Sequence, residues 1–551
     1  MTKFRIWLPF IFACLLASGI YIGMKLNEPF NNKKSFFSFR TGQFNKINDV
    51  VNYISQEYVD TVNQKKLVES TIEDMLHQLD PHSAYIPAED LQAMNEPLEG
   101  NFDGIGVEFH VQQDTIMVVT AVSGGPSEQL GIRSGDRIVT VEGKNVAGIH
   151  ITNTQVTQML RGPSGTKVKV GIYRRGNPQL VEYTITRGKI PVFSVDVSYM
   201  LDEKTGYIKV SHFAEHTYEE YIDAFTKLKE KGLQSLILDL RGNPGGYLKT
   251  AIQIADEFLP DGKLIVYTQG HARPKETFNS SARGFFEKGK LIVLIDEGSA
   301  SASEIVSGAV QDWDRATIVG RRSFGKGLVQ EQSNFPDGSA IRLTIARYYT
   351  PTGRSIQKPY NDGYDEYENE LFHRMKNGEL SSSDSVHFSD SLKFVTPGGK
   401  IVYGGGGIMP DVFVPLDTEG ISPFYNEVNG KGLIVQFAYD YLDIHRKEIT
   451  SQYPDFNSYK TKFSIGNEDY SKFVAYALKN GVGKATKGES YSSPLIRTQL
   501  KALIARQIWK NDGFFPIIHE LDMTLKKAEE LMKTDQVAEN SSGSVIQAKR
   551  N

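Results

Sequence analysis

The stretch Asp296-Glu297-Gly298-Ser299-Ala300-Ser301-Ala302-Ser303-Glu304-Ile305 joins two different periodicities. Before it, Leu291-Ile292-Val293-Leu294-Ile295 is an unbroken apolar run of the length of a buried strand; after it, Ile305-Val306-Ser307-Gly308-Ala309-Val310 reads as a helix opening. A serine between them stands at a strand-to-helix turn. Such a turn exposes a side chain at the carboxyl end of a strand, while the first N–H groups of the helix point outward, where developing negative charge is stabilised. That is a place for a nucleophile and an oxyanion hole. The same residues also fit an ordinary helix start, because Ser301-x-x-Glu304 is a capping box. Ser299, Ser301 and Ser303 compete for the nucleophile's role at this point.

A second stretch, Ser323-Phe324-Gly325-Lys326-Gly327-Leu328-Val329-Gln330, follows the short apolar strand Thr317-Ile318-Val319-Gly320. Glycines on both sides let the backbone fold closely around the lysine. To serve a serine as base, the lysine must be neutral, so its pKa must fall from about 10.4 to near neutrality at a cost of about 4 kcal/mol. Together the two stretches resemble the carboxyl-terminal processing peptidases, or tail-specific proteases, a serine–lysine dyad family. In that family the two residues lie 25 positions apart, and Lys326 follows Ser301 by 25. The resemblance thus implies Ser301 as nucleophile, Lys326 as base and Gln330 as the family's glutamine four residues after it. The matching motifs run from about Leu79 to Pro415.

The rest of the chain fits this frame. A length of 551 residues suggests three or four domains, and 40% apolar with 23% charged residues is a globular composition. A formal net charge of −4 without a basic run gives no sign of a nucleic-acid binder, and none is expected as partner. The single cysteine, Cys14, permits no internal disulfide, and the eleven histidines show no metal-ligand spacing; no cofactor is expected. Residues 6–24 are nineteen positions without a charge, roughly 28 Å as a helix, which predicts membrane targeting. Ala17-Ser18-Gly19 resembles a cleavage site, whereas Ile20-Tyr21-Ile22-Gly23-Met24 continues the apolar run and favours a retained anchor. Family members work outside the cytoplasm, so the resemblance places the chain there, in the periplasm of a Gram-negative cell.

Helical spacing over Ile47 to Asp80 predicts two or three short helices, ending at Leu79-Asp80-Pro81-His82-Ser83-Ala84-Tyr85, where His82 is read as structural. From about Asn101 to Gly188 short strands alternate with glycine turns, with helices near 127–130 and 153–160. This order, opened by Gly104-Ile105-Gly106-Val107, resembles a PDZ domain, which takes a peptide's C-terminus as an added strand and holds its carboxylate on loop N–H groups. From about Ser194 strand and helix alternate, an α/β pattern. Ser235-Leu236-Ile237-Leu238-Asp239-Leu240 is a buried strand, followed by the loop Arg241-Gly242-Asn243-Pro244-Gly245-Gly246. By resemblance, Gly245 or Gly246 supplies one oxyanion N–H and Ala302 the other; Asp239 and Arg241 are read as a structural pair.

Pro336-Asp337-Gly338 predicts a hairpin between strands 328–335 and 340–349. The segment Thr350-Pro351-Thr352-Gly353-Arg354-Ser355-Ile356-Gln357 resembles one at the edge of the family's cleft. Residues 361–391, acidic and serine-rich, read as a solvated insertion or mobile flap. The glycine run 404–407 returns the chain to the core, and residues 421–531 have helical spacing.

The expected organisation is a targeting segment and linker (1–43), an N-terminal helical region (44–98), a PDZ domain (99–188), a serine protease core (189–420), a C-terminal helical region (421–536) and a polar tail (537–551). The fold class is α/β, a mixed-sheet core of crotonase-like, tail-specific-protease type with an inserted PDZ domain. The function this implies is a serine endopeptidase that grips protein C-termini and cleaves them, with self-association into a homo-oligomer among the family's habits. The alternative is a catalytically idle PDZ-containing peptide-binding protein on the same fold. A Ser-His-Asp hydrolase using His212 or His271 is a third reading.

Overall fold

The computed structural model describes Leu16, Ser18, Gly19 and residues 46–112, 114–483 and 488–534. Apart from those three residues, the apolar segment 6–24 and the tail from 537 lie outside the described residues. Among the described residues no helix is long and apolar enough to cross a membrane. The chain forms two compact units, Met1–Asp74 and Met75–Asn551. The first carries the helix Lys46–Glu57 and most of Gln64–His77, short helices of the kind the spacing predicts.

A six-stranded mixed sheet organises the second unit. Its strands run across the sheet as Val195–Met200, Thr205–Val210, Ser235–Asp239, Lys290–Ile295, Thr317–Gly320 and Val412–Phe413. The first pair is antiparallel and the others parallel, in the register Leu238 to Val293 to Ile318. Parallel neighbours need crossovers, which the helices Thr217–Glu230, Leu248–Asp256 and Ala302–Asp312 provide.

Side chains alternate across a strand, so Leu236, Leu238 and Val293 pack under Ile254, Phe258, Ile305 and Val306 on one face. On the other face Ile237, Ile292 and Leu294 meet Leu525, Ala528 and Met532 from the last helix, residues 523–534. Burial on both faces explains why these strands read as unbroken apolar runs.

A second sheet stands beside the first, with Ala84–Ile86, Ala340–Tyr349, Leu264–Gln269 and Glu276–Asn279 in order and Leu328–Asn334 paired to Ala340–Tyr349. The last pair is the expected hairpin. Its register shifts between Val329, opposite Ala346, and Gln330, opposite Thr344, so the extra residue of the bulge is Ile345.

The PDZ domain leaves and re-enters through a two-stranded ribbon, Asn101–Gly104 against Gly188–Pro191. Its sheet runs Val107–Gln112, Thr115–Ala121, Arg137–Val141, Lys167–Tyr173, Val181–Thr186, with the helices Pro126–Gln129 and Asn153–Leu160 as expected. The helix Asn153–Leu160 is started by a Thr152–Gln155 capping box. The C-terminal helices Pro423–Gly430, Leu433–Gln452, Phe456–Lys462, Asn467–Lys479 and Glu489–Ile518 share a core of their own. They also brace the PDZ domain, since Arg137 donates to Asp443 at 2.9 Å and Tyr439 packs on Met117 and Val119.

The segment 361–391, read as a solvated insertion or mobile flap, is largely exposed and carries short helices. It forms the helices Tyr364–Glu368 and Glu370–Lys376, and the buried Arg374 donates to the carbonyls of Arg322 (3.3 Å), Ser323 (2.8 Å) and Phe324 (3.1 Å). One arginine satisfying three carbonyls of a loop, with the buried Tyr367 and Leu380, anchors a segment poor in aliphatic residues.

Candidate active site

Ser301 stands at the turn between the strand Lys290–Ile295 and the helix Ala302–Asp312, with φ 52° and ψ −110°. A non-glycine residue in that region stores about 1–3 kcal/mol of strain. Strain of this kind presents the side chain at the top of the sheet, ahead of the helix N-terminus. Glu304, one turn on and fully buried, holds the turn closed. Its carboxylate accepts from the N–H of Ser301 (2.8 Å) and from three groups of the lysine loop: Ser323 Oγ (2.5 Å), Gly325 N (2.7 Å) and Lys326 N (2.9 Å). Ser323 Oγ in turn accepts from Ile408 N, just past the glycine run. Burial pushes the Glu304 carboxyl up to about 7, and the four donors around it oppose that rise.

Tyr348, from the hairpin, ties the same two loops from the other side. Its buried hydroxyl donates to the Ser301 carbonyl at 3.0 Å and is also bonded to the Lys326 carbonyl. Ser301 and Lys326, 25 residues apart in sequence, are thus joined through both their N–H groups and both their carbonyls.

Lys326 Nζ donates to Gln330 Oε1 at 2.9 Å and makes no hydrogen bond to Ser301 Oγ. Burial holds the ammonium below its usual 10.5; Arg342 adds to the effect, while Asp80 and Glu304 oppose it. Gln330 is oriented at its other end, where Nε2 donates to the His82 carbonyl. The turn that offers this carbonyl is built by Asp80, whose carboxylate accepts from the N–H groups of His82 and Ser83 (both 2.8 Å), from Ser83 Oγ (2.7 Å) and from Thr344 Oγ1 (3.1 Å). The His82 ring lies 2.7 Å from the Tyr367 hydroxyl, and burial with the nearby Lys326 charge lowers its pKa to about 3, so it is neutral.

The loop 241–246 passes directly beside the serine. A Cβ on Gly245 (φ +100°) would fall 2.7 Å from Ser301 Cβ and 2.9 Å from Ala302 N. The N–H of Gly245 is taken by Asn243 Oδ1 at 2.9 Å, whereas those of Gly246 and Ala302 have no protein acceptor. Of the two glycines that the resemblance offers as donors, Gly246 has the free N–H and Gly245 permits the close approach. Asp239 and Arg241 do pair, with Arg241 Nη2 2.6 Å from Asp239 Oδ2. His212 bonds Ser194 and Ser211, and neither it nor His271 hydrogen-bonds Ser301.

The PDZ residues lie in the other domain. Gly104 ends the ribbon strand opposite Gly188, and Ile105 is buried with its carbonyl accepting from Ser127 N and Oγ. Gly106 turns at φ +74°, and Val107 starts the strand at the open edge of the sheet.

Two contributors escape the sequence reading, Tyr348 and the Asp80–Ser83 turn, and Glu304, the capping acid the sequence predicts, also holds the lysine loop. The one local signal is the acid at 304, a charge placed among small and apolar residues where a strictly buried helix start needs none.

Comparisons with known proteins match four segments of the chain to family models. Residues 204–363 match the model of peptidase family S41, 104–185 that of the PDZ domain, 14–90 that of the activating protease CtpB N-terminal domain, and 424–510 a family of unknown function. The carboxy-terminal-processing protease of Bartonella bacilliformis is 37% identical over 352 residues, covering 63% of this chain and 79% of that protein. The carboxy-terminal processing protease CtpA of Bacillus subtilis is 33% identical over 349 residues, 63% of this chain and 74% of that one. Among solved structures, a photosystem II D1 C-terminal processing protease is 26% identical, covers 66% of this chain and 85% of that chain, and superposes with a TM-score of 0.35. With more than two thirds of such relatives spanned at over 30% identity, this chain belongs to the carboxy-terminal processing proteases, serine-type peptidases with a PDZ domain.

Proposed function

We propose that this chain is an endopeptidase that grips protein C-termini through its PDZ domain and cleaves them with a Ser301–Lys326 dyad. The observation that carries the reading is the Glu304 carboxylate, which gathers the Ser301 turn and the Lys326 loop in one buried site. Ser301 Oγ attacks the scissile carbonyl as neutral Lys326 takes its proton. The N–H groups of Gly246 and Ala302 stabilise the oxyanion. The protonated lysine then donates to the leaving amine, and the acyl-enzyme is hydrolysed by a water that passes its proton to the same nitrogen, which returns it to Ser301 Oγ as the acyl group leaves. In this cycle Lys326 leaves Gln330 for Ser301 Oγ by a side-chain rotation.

The substrate's C-terminal residues add as a strand beside Val107–Gln112, with the carboxylate on the N–H groups of the Gly104–Val107 loop. The apolar segment 6–24 supports a place at a membrane, and the resemblance to proteases that work outside the cytoplasm supports that side of it. Reaction of the purified protein with a serine-reactive phosphonate, followed by mass spectrometry, tests the reading. Label is expected on Ser301 alone, with Ser301→Ala folded, unlabelled and without turnover. A labelled residue elsewhere, or full turnover by Ser301→Ala, would sink it.

A further inference from the structure

The oxyanion loop begins with Arg241, whose guanidinium is held by two carboxylates from distant parts of the chain. Asp239, in the sheet, receives Nε at 3.0 Å and Nη2 at 2.6 Å. Asp522, from the C-terminal segment, receives Nη1 at 2.9 Å and Nη2 at 2.6 Å, so the fork is satisfied on two edges. Asp239 is also fixed by the Tyr207 hydroxyl at 2.6 Å, and Lys209 Nζ donates to the Arg241 carbonyl at 3.0 Å. From Arg241 the loop is stitched to the serine turn residue by residue. Gly242 N donates to Asp296 Oδ1 at 2.8 Å, and the Asn243 carbonyl accepts from Ala300 N and Ser303 Oγ, both at 2.9 Å.

Asp522 has a second task, accepting the Leu525 N–H at 2.9 Å as cap of the helix 523–534 that covers the sheet through Leu525, Ala528 and Met532. The same carboxylate thus starts the covering helix and grips the first residue of the loop.

We infer that Asp522 is a positioning residue for catalysis: by its bidentate pair with Arg241, the C-terminal segment sets the loop that presents Gly245 and Gly246 to Ser301. The inference rests on the proposed dyad mechanism, in which that loop stabilises the oxyanion. Removing the carboxylate leaves Arg241 with Asp239 alone and frees the loop's first residue on one side. Displacements of an ångström at an oxyanion donor are felt mainly in turnover, because the donor binds the transition state more strongly than the substrate.

Asp522→Asn and Asp522→Ser both retain an acceptor for Leu525 N–H and remove the charge that fixes Arg241. With a peptide substrate and the full-length protein, kcat is expected to fall by about 10- to 100-fold in each while KM stays within about threefold. Asp522→Glu, which keeps the carboxylate, is expected to recover much of the loss. Leu525→Ala supplies the control, since it loosens the same helix through packing and is expected to lower the melting temperature at least as much while keeping kcat near wild type. Wild-type kcat in folded Asp522→Asn or Asp522→Ser would overturn the inference. So would equal losses of kcat in the Asp522 variants and Leu525→Ala, which would make the segment a structural cover and nothing more. Absence of turnover and of serine labelling in the wild type would instead overturn the functional reading itself.

Discussion

Lys326 and Gln330 are hydrogen-bonded, Nζ to Oε1 at 2.9 Å, and Gln330 is in turn anchored to the His82 carbonyl. Lys326, in the loop, is therefore held by a residue four positions on, in the strand Leu328–Asn334, and it lies in an environment that disfavours its charge. A lysine held only as a charge partner would be placed against a carboxylate; this one is placed against a neutral amide.

Lys326→Arg keeps the positive charge but cannot deprotonate, so it is expected to be as inactive as Lys326→Ala. Wild-type kcat/KM should rise with pH through the lysine's depressed pKa, since only the neutral amine accepts the Ser301 proton. Gln330→Ala is expected to be the milder lesion. Initial rates of peptide cleavage between pH 6 and about 10 check all three, and substantial turnover by Lys326→Arg would require another base.

The same pKa makes a stability prediction. The folded state holds the Lys326 proton less tightly than the unfolded chain, so the unfolded state binds more protons between the folded-state value and 10.5. Stability from this group is at its lowest below the folded-state pKa and recovers as pH rises through that window. Lys326→Met should therefore melt higher than wild type near neutral pH, with the gap closing as pH approaches about 10.5. Thermal unfolding followed against pH measures it.

Gly245→Ala should lose turnover by at least about 100-fold, because the added Cβ would lie 2.7 Å from that of Ser301 and push the loop or the nucleophile aside. The variant should still fold and still bind a C-terminal peptide, which fluorescence polarisation with a labelled peptide would report.

Arg354 is fully buried and paired to the equally buried Asp312, Nη2 to Oδ1 at 2.7 Å. Arg354→Ala leaves that carboxylate unpaired in the core, and a loss of about 3–5 kcal/mol is expected. Urea unfolding should show a lower midpoint, and a loss below about 1 kcal/mol would mean that water or a neighbour replaces the guanidinium.

If the loop Gly104–Val107 captures a carboxylate, amidating the C-terminus of a long substrate should weaken its productive binding, while a short unanchored peptide is cleaved as before. Equal kcat/KM for the free-acid and amide forms of the long substrate would count against it.

Much of this was legible in one dimension. The strand runs at 235–239, 291–295 and 317–320, the hairpin at 336–338 and the PDZ elements were all readable, because periodicity and turn chemistry act over a few neighbouring residues. The candidate dyad was legible through spacing and resemblance, and Ser301's turn through the change from strand to helix pattern. What needed the tertiary structure are contacts whose two ends share no local signal. Gln330 meets the His82 carbonyl across 248 positions and Arg241 meets Asp522 across 281. Glu304 reads as a helix cap until the lysine loop folds over it, when it becomes the acceptor for four donors from two loops. Arg374 turns a polar stretch, apparently destined for solvent, into an anchored one by satisfying three carbonyls. That the Gly245 N–H is taken, while that of Gly246 is left free, is decided by where the Asn243 side chain lands. Buried polar groups must find partners, and which partner is available is set by how separate elements are brought together rather than by the residues beside them.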